Sequence, residues 1–174
     1  MRHTGKGLAG RGLFALVVGL AAAGAGCGGQ AAGAAVPDPC RLLGQAAASR
    51  IVGYHPAVLS NGVVRYLKLQ DDGRVCIYGP APMQARQAGS WQLSLLVDRE
   101  QLPGGATRAP GEKRFVVGRT IVDWLWVSSD QSGTMSFSEK GMSYWVLVGR
   151  KGGTEPRAES LARQAVNVVL AGTQ

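Results

Sequence analysis

The stretch VVRYLKLQDDGRVCIYG, residues 63–79, decides the fold class. β-Branched and aromatic residues stand on both sides of Asp71-Asp72-Gly73, a turn of the Asp-Gly kind. Two such runs around a tight turn read as a β-hairpin, and hairpins build antiparallel sheets. VVRYLKLQ is expected as one strand and RVCIYG as its partner. Asp71 and Asp72 form a carboxylate pair by adjacency alone. Acids beside a glycine ordinarily make turns through their own side-chain hydrogen bonds.

Downstream, the same period of two recurs. In WQLSLLVDRE (91–100), Trp91, Leu93, Leu95 and Val97 alternate with Gln92 and Ser94, the pattern of a half-buried strand. LPGGATRAPGEKR (102–114) is expected as a loop, long enough to be either functional or mobile. FVV, Gly118 and RTIVDWLWVSSD then predict one or two strands. Ile121, Asp123, Leu125 and Val127 share one face, and Val122, Trp124 and Trp126 the other. Both faces are largely apolar, which admits two readings. One is a central strand covered on both sides; the other is an aromatic patch, Trp124 and Trp126, open to a ligand or partner. Asp123 needs a hydrogen-bonding partner there unless it is exposed. QSGTMSFSEKG (131–141) predicts a turn and short strand. MSYWVLVG (142–149) predicts another, with Met142, Tyr144, Val146 and Val148 opposite Ser143, Trp145 and Leu147.

Helical signals flank these strands. Asp38 has the chemistry of an N-cap, with Pro39 at the first helical position. Cys40, Leu43, Ala47 and Ile51 then fall on one face, so PCRLLGQAAASRIVG (39–53) is expected as a helix ending at Gly53. Gly44 weakens it by about 1 kcal/mol. YHPAVLSNG (54–62) is expected as loop. At the other end Thr154 and Pro156 open PRAESLARQAVNVVL, with Ala158, Leu161, Ala165 and Val168 as its buried stripe and Gly172 as its stop. The order of helix, hairpin, further strands and helix predicts one α+β domain. Its twisted antiparallel sheet carries an N-terminal and a C-terminal helix on one face.

Residues 1–26 carry a different signal. GAGCGG (24–29) satisfies G-x-G-x-x-G at Gly24, Gly26 and Gly29, the spacing of a dinucleotide-binding turn. That turn must open a helix, and here QAAGAAVPDP follows, broken by Gly33, Pro37 and Pro39. With 26 glycines in 174 residues, the spacing alone carries little. An export leader accounts for all the flanks. Arg2, Lys6 and Arg11 make a basic segment, Leu13 to Ala23 an apolar one, and small residues follow directly. The apolar run is shorter than the roughly 20 residues that span a bilayer comfortably. With Cys27 after those small residues, the stretch resembles a bacterial lipobox, Gly24 standing where leucine is usual. The resemblance implies that Cys27 is lipidated and becomes the mature N-terminus. An ordinary secretory signal cut near Gly26 or Ala35 is the other reading, and both export the chain. Residues 27–37 then form a Gly/Ala tether reaching about 15–20 Å, and 38–174 the domain.

Composition narrows the function classes. The formal charge is +8, and from Cys27 onward 16 basic residues face 11 acids, leaving +5. Those basic residues are scattered in runs of at most two, so a nucleic-acid arm is not expected. Either a weak attraction to an anionic membrane or wall surface or a plain solvated surface accounts for them. With Cys27 lipidated, Cys40 and Cys76 remain. In an oxidising compartment two cysteines are expected to pair, the alternative being two buried free thiols. Outside the leader His55 is the only histidine, and no CxxC or HxxxH spacing occurs, so neither a metal nor a cofactor is expected.

DPCRLL (38–43), DGRVCIY (72–78), the tether and the alanine- and leucine-bearing last helix together resemble the actinobacterial lipoproteins of unknown function. The resemblance implies a disulfide between Cys40 and Cys76 and an envelope location, and it implies no activity. Three functions are therefore carried forward. The first is a lipid-anchored, non-catalytic binding or accessory module facing outward, with an envelope ligand or protein as its partner. The second is an envelope hydrolase. For it there is no G-x-S-x-G, and the only candidates are His55 in a loop and the acids Asp98, Glu100, Asp123 and Asp130. The third is a structural subunit of an envelope complex.

Overall fold

The computed structural model describes residues 35–63, 73–81, 89–99 and 110–174. Leader, Cys27, most of the tether, Asp71, Asp72 and Glu100 lie outside them. The described residues form an α+β domain with one seven-stranded antiparallel sheet. Its strands are β1 (Ala57–Val63), β2 (Arg74–Gly79), β3 (Gln92–Asp98), β4 (Lys113–Val117), β5 (Thr120–Val127), β6 (Ser132–Glu139) and β7 (Met142–Gly149). Their order in the sheet is β1-β2-β3-β7-β6-β5-β4. Two meanders, β1 to β3 and β4 to β7, are thus joined by pairing β3 with β7, Leu93 opposite Val148 and Leu95 opposite Val146.

Turn chemistry sets the second meander. Val117 pairs with Thr120, leaving Gly118-Arg119 as a two-residue loop whose glycine has φ +63°. Glu139 pairs with Met142 around Lys140-Gly141, where both residues have positive φ. Such left-handed turns match the twist of the strands they join. The expected strands through 115–127 therefore resolve into the hairpin β4–β5, with Lys113 and Arg114 drawn from the expected loop into β4.

Three helices lie on one face: α1 (Pro39–Leu43), α2 (Gln45–Val52) and α3 (Glu155–Gly172). The single helix expected over 39–53 is broken at Gly44, whose φ of 62° and ψ of 140° no helix accommodates. Asp38 caps α1 as expected, accepting from the Cys40 N–H at 2.9 Å, and Gly53 closes α2 in the left-handed conformation. The buried side of α3 is wider than the expected stripe, adding Ala162, Val166 and Val169, while Val168 is half-buried. Small residues at Ala158, Ala162 and Ala165 let α3 lie close on the sheet.

One expectation fails upstream. AVLSNG, expected as loop, belongs with Val63 to strand β1, paired from Ala57 opposite Gly79 to Val63 opposite Arg74. The register shifts between Val58 and Ser60, and such an irregularity hides a strand from a period-of-two reading. Of the hairpin expected over 63–79, RVCIYG is present as β2 and pairs antiparallel with β1, while residues 64–72 lie outside the described residues. Cys40 and Cys76 are disulfide-bonded, Cα to Cα 5.2 Å, tying α1 to β2. Val36, just ahead of α1, is buried in the same core.

Candidate functional site

Alternation divides the sheet into two unlike faces. The inner face, under the helices, holds a row of Cys76, Leu95, Val146, Met135 and Trp124, all fully buried. Trp124 is part of this core, so of the two readings of this strand the open aromatic patch does not hold at Trp124. Trp126 is half-buried, its ring stacked at 6.4 Å on that of Trp124. Two residues from distant segments make room for Trp124 and satisfy it. Gly133 on β6 offers no side chain; a Cβ there would come within 2.0 Å of the Trp124 ring. Glu155, in the first turn of α3, accepts from the indole N–H at 3.3 Å and from Lys113 Nζ at 2.6 Å. Those hydrogen bonds, Lys113 first, hold the Glu155 carboxyl below its usual range. The Lys113 ammonium is correspondingly raised by Glu155.

The outer face carries Ser132, Thr134, Ser136 and Ser138 along β6, beside Leu125, Ile121 and Val127 on β5. Asp123 lies on this face and finds its partner across β4–β5. Arg114 Nε donates to Oδ1 at 2.6 Å and a terminal nitrogen to Oδ2 at 2.9 Å, a fork on a carboxylate. The same contact raises the Arg114 guanidinium further above its ordinary value. Asp123 is thereby committed to holding the edge strand.

Among the described residues, the acids considered for hydrolysis, Asp98, Asp123 and Asp130, do not converge. Asp98 on β3 and Asp123 on β5 have β7 and β6 between them, which places them about 14 Å apart across the sheet. A glycosidase pair needs roughly 5–9.5 Å. Asp130 sits beyond the far end of β5, accepting from Ser129. Asp98 is buried and accepts from the Arg99 N–H at 2.6 Å. His55 is exposed, its Nε2 3.4 Å from Gln45 Nε2. Tyr54, Tyr78 and Tyr144 are raised by burial, which keeps their hydroxyls protonated near neutrality; Tyr54 donates to the Trp91 carbonyl and Tyr78 to that of Cys40. No cluster of three or more metal-ligating side chains occurs among the described residues. None of their helices is long and apolar enough to cross a membrane.

Two of the clefts lined by described residues open at opposite ends of the strands. One of about 560 Å³ lies between Leu59, Gln92, Asp130 and Arg150. The larger, of about 720 Å³, lies among the β4–β5 turn, the β6–β7 turn and the last turn of α3. Val117 and Leu170 provide its apolar lining, Arg119, Lys140 and Asn167 its polar one. Thr120 donates to Glu139 at 3.1 Å, while Lys140 Nζ reaches the carbonyls of Thr173 and Gln174. Its size lies in the range of small-molecule sites. Sequence reasoning did not find this cleft, because its walls come from two turns and a helix end far apart in the chain. The one local signal was the pair of glycine-bearing turns. No family model matches the chain, and neither does any curated protein or solved structure.

Proposed function

We propose that this chain is an exported envelope protein, anchored by a lipid on Cys27 and acting as a non-catalytic binding or accessory module. The observation that carries the reading is the Cys40–Cys76 disulfide. Structural disulfides persist in oxidising compartments and are rare where thiols are kept reduced. A bonded pair in a chain that begins with a basic segment, an apolar segment and small residues before Cys27 fits export. The separation of Asp98 from Asp123, and the commitment of Asp123 to Arg114, support a module that binds rather than hydrolyses. The 720 Å³ cleft is its candidate ligand site.

The test is the intact mass of the native protein recovered from membranes, with thiol labelling before and after reduction. An N-terminus at Cys27 carrying acyl mass, with two thiols labelled only after reduction, is the expected result. A chain that keeps Met1, or that starts elsewhere without acyl mass, refutes the anchor.

A further inference from the structure

The most exposed large hydrophobic residues among those described lie together. Val116 is 62 % exposed and Ile121 58 %, and they face each other across the β4–β5 hairpin. Their hairpin ends in Gly118-Arg119, and Arg119 has no hydrogen-bond or ion-pair partner among the described residues. The adjacent β6–β7 turn adds Lys140, exposed, its Nζ shared with the carbonyls of Thr173 and Gln174. Glu139, the acid at this tip, is half-buried and engaged by Thr120. An apolar pair flanked by cations, with Glu139 turned to a neighbour, is chemistry suited to the boundary between headgroups and acyl chains. There apolar side chains leave water and cations meet phosphates.

We infer that the tip formed by the β4–β5 and β6–β7 turns docks on an anionic lipid surface, Val116 and Ile121 entering the boundary and Arg119 and Lys140 engaging headgroup phosphates. This deepens the proposed function and rests on its placement of the domain beside a membrane. Reach permits it. Cys40 is bonded to Cys76, which shares a row with Trp124, and from Trp124 to Thr120 is four strand residues, about 13 Å. A tether of ten residues spans about 15–20 Å. The cleft behind Arg119 is open at this tip, with room for a headgroup. The far end of the sheet is basic too, but there Arg150 lies over the Trp91 ring, 5.8 Å from its centroid, and Asp130 lines the same cleft.

Hydrogen exchange of the full chain decides between the two ends. It is measured free, with phosphatidylcholine vesicles, and with vesicles of phosphatidylcholine and phosphatidylglycerol. Protection of residues 116–121 and 139–141 only on the anionic vesicles, with residues 128–131 and 150–152 unchanged, is the expected pattern. Arg119→Glu should weaken affinity for those vesicles about ten- to thirty-fold, since a reversal removes one favourable charge and adds an opposing one. Val116→Ser with Ile121→Ser should weaken binding to the anionic vesicles without lowering Tm. Protection at 128–131 instead, equal protection at both ends, an Arg119→Glu chain that binds as well as the parent, or tip protection without vesicles through a dimer would each overturn the inference. A Cys27→Ala chain keeps the two readings apart. If the parent lacks acyl mass yet both chains show the tip pattern on anionic vesicles, the anchor fails and the tip stands. If the parent is acylated and the tip is unprotected, the reverse holds.

Discussion

The two faces of strand β5 have nearly the same hydrophobicity in sequence and opposite fates in the fold. Val122 and Trp124 face α3 and are fully buried, whereas Ile121 and Val127 on the other side stay open to solvent. Apolar character therefore did not select the buried face. Shape and partners selected it: Gly133 leaves space for the Trp124 ring, and Glu155 accepts its N–H. Ile121 instead stands opposite Val116, itself exposed, across the β4–β5 ladder. A strand with apolar residues on both faces becomes one-sided when only one face is offered a complementary surface.

The sharpest way to break this comparison is to truncate one residue on each face. Trp124→Ser should cost about 3–5 kcal/mol, a loss readable as a large fall in Tm. Ile121→Ser should stay within about 0.5 kcal/mol. Equal effects would mean that the outer face is covered in the native protein. Next in size comes the disulfide. Reduction of Cys40–Cys76, separated by 36 residues, should lower stability by about 3–4 kcal/mol, measured by denaturant unfolding with and without reductant. A chain whose midpoint does not move on reduction would show that core packing alone fixes α1 on β2. Gly133→Ala should cost about 1–3 kcal/mol by overfilling the space under Trp124, and with Trp124→Phe, a smaller ring, the loss should shrink. Additive losses would mean that the two residues do not share that space.

The smallest expected effect is a pH dependence. The Glu155 carboxyl titrates lower in the folded chain than in the unfolded one. The unfolded state therefore binds the proton more readily, and the contribution of Glu155 is full above the unfolded value. It fades as pH falls through the folded one. Glu155→Gln should flatten that part of the acid limb and leave stability at alkaline pH little changed in slope. An identical acid limb in parent and variant would remove Glu155 from the account. Lys113 is exposed, so the ion pair itself should add little.

Legibility followed the range of the interactions. The strands 92–98 and 142–149, both cap chemistries of the first helix and the stop at Gly53 were readable, because period and capping depend on residues a few positions apart. Asp123 was rightly singled out as needing a partner, but Arg114, which sits in a segment expected as loop, was not identified as that partner. β1 was missed because its register shift breaks alternation, and the break at Gly44 was underweighted as a mere cost in helix propensity. The large cleft was invisible, since Arg119, Lys140 and Asn167 meet only after three separate segments pack.

By itself, then, the sequence determined an α+β chain of antiparallel strands between terminal helices, with two cysteines available to pair. Alternation, capping and turn residues act locally and do not wait for the rest of the chain. Only the tertiary structure decided that β3 pairs with β7 and that Trp124 is core while Ile121 is surface. Those outcomes depend on which distant surfaces fit, on a missing Cβ at Gly133 and an acceptor at Glu155, and close packing is a property of the assembled elements rather than of any one of them.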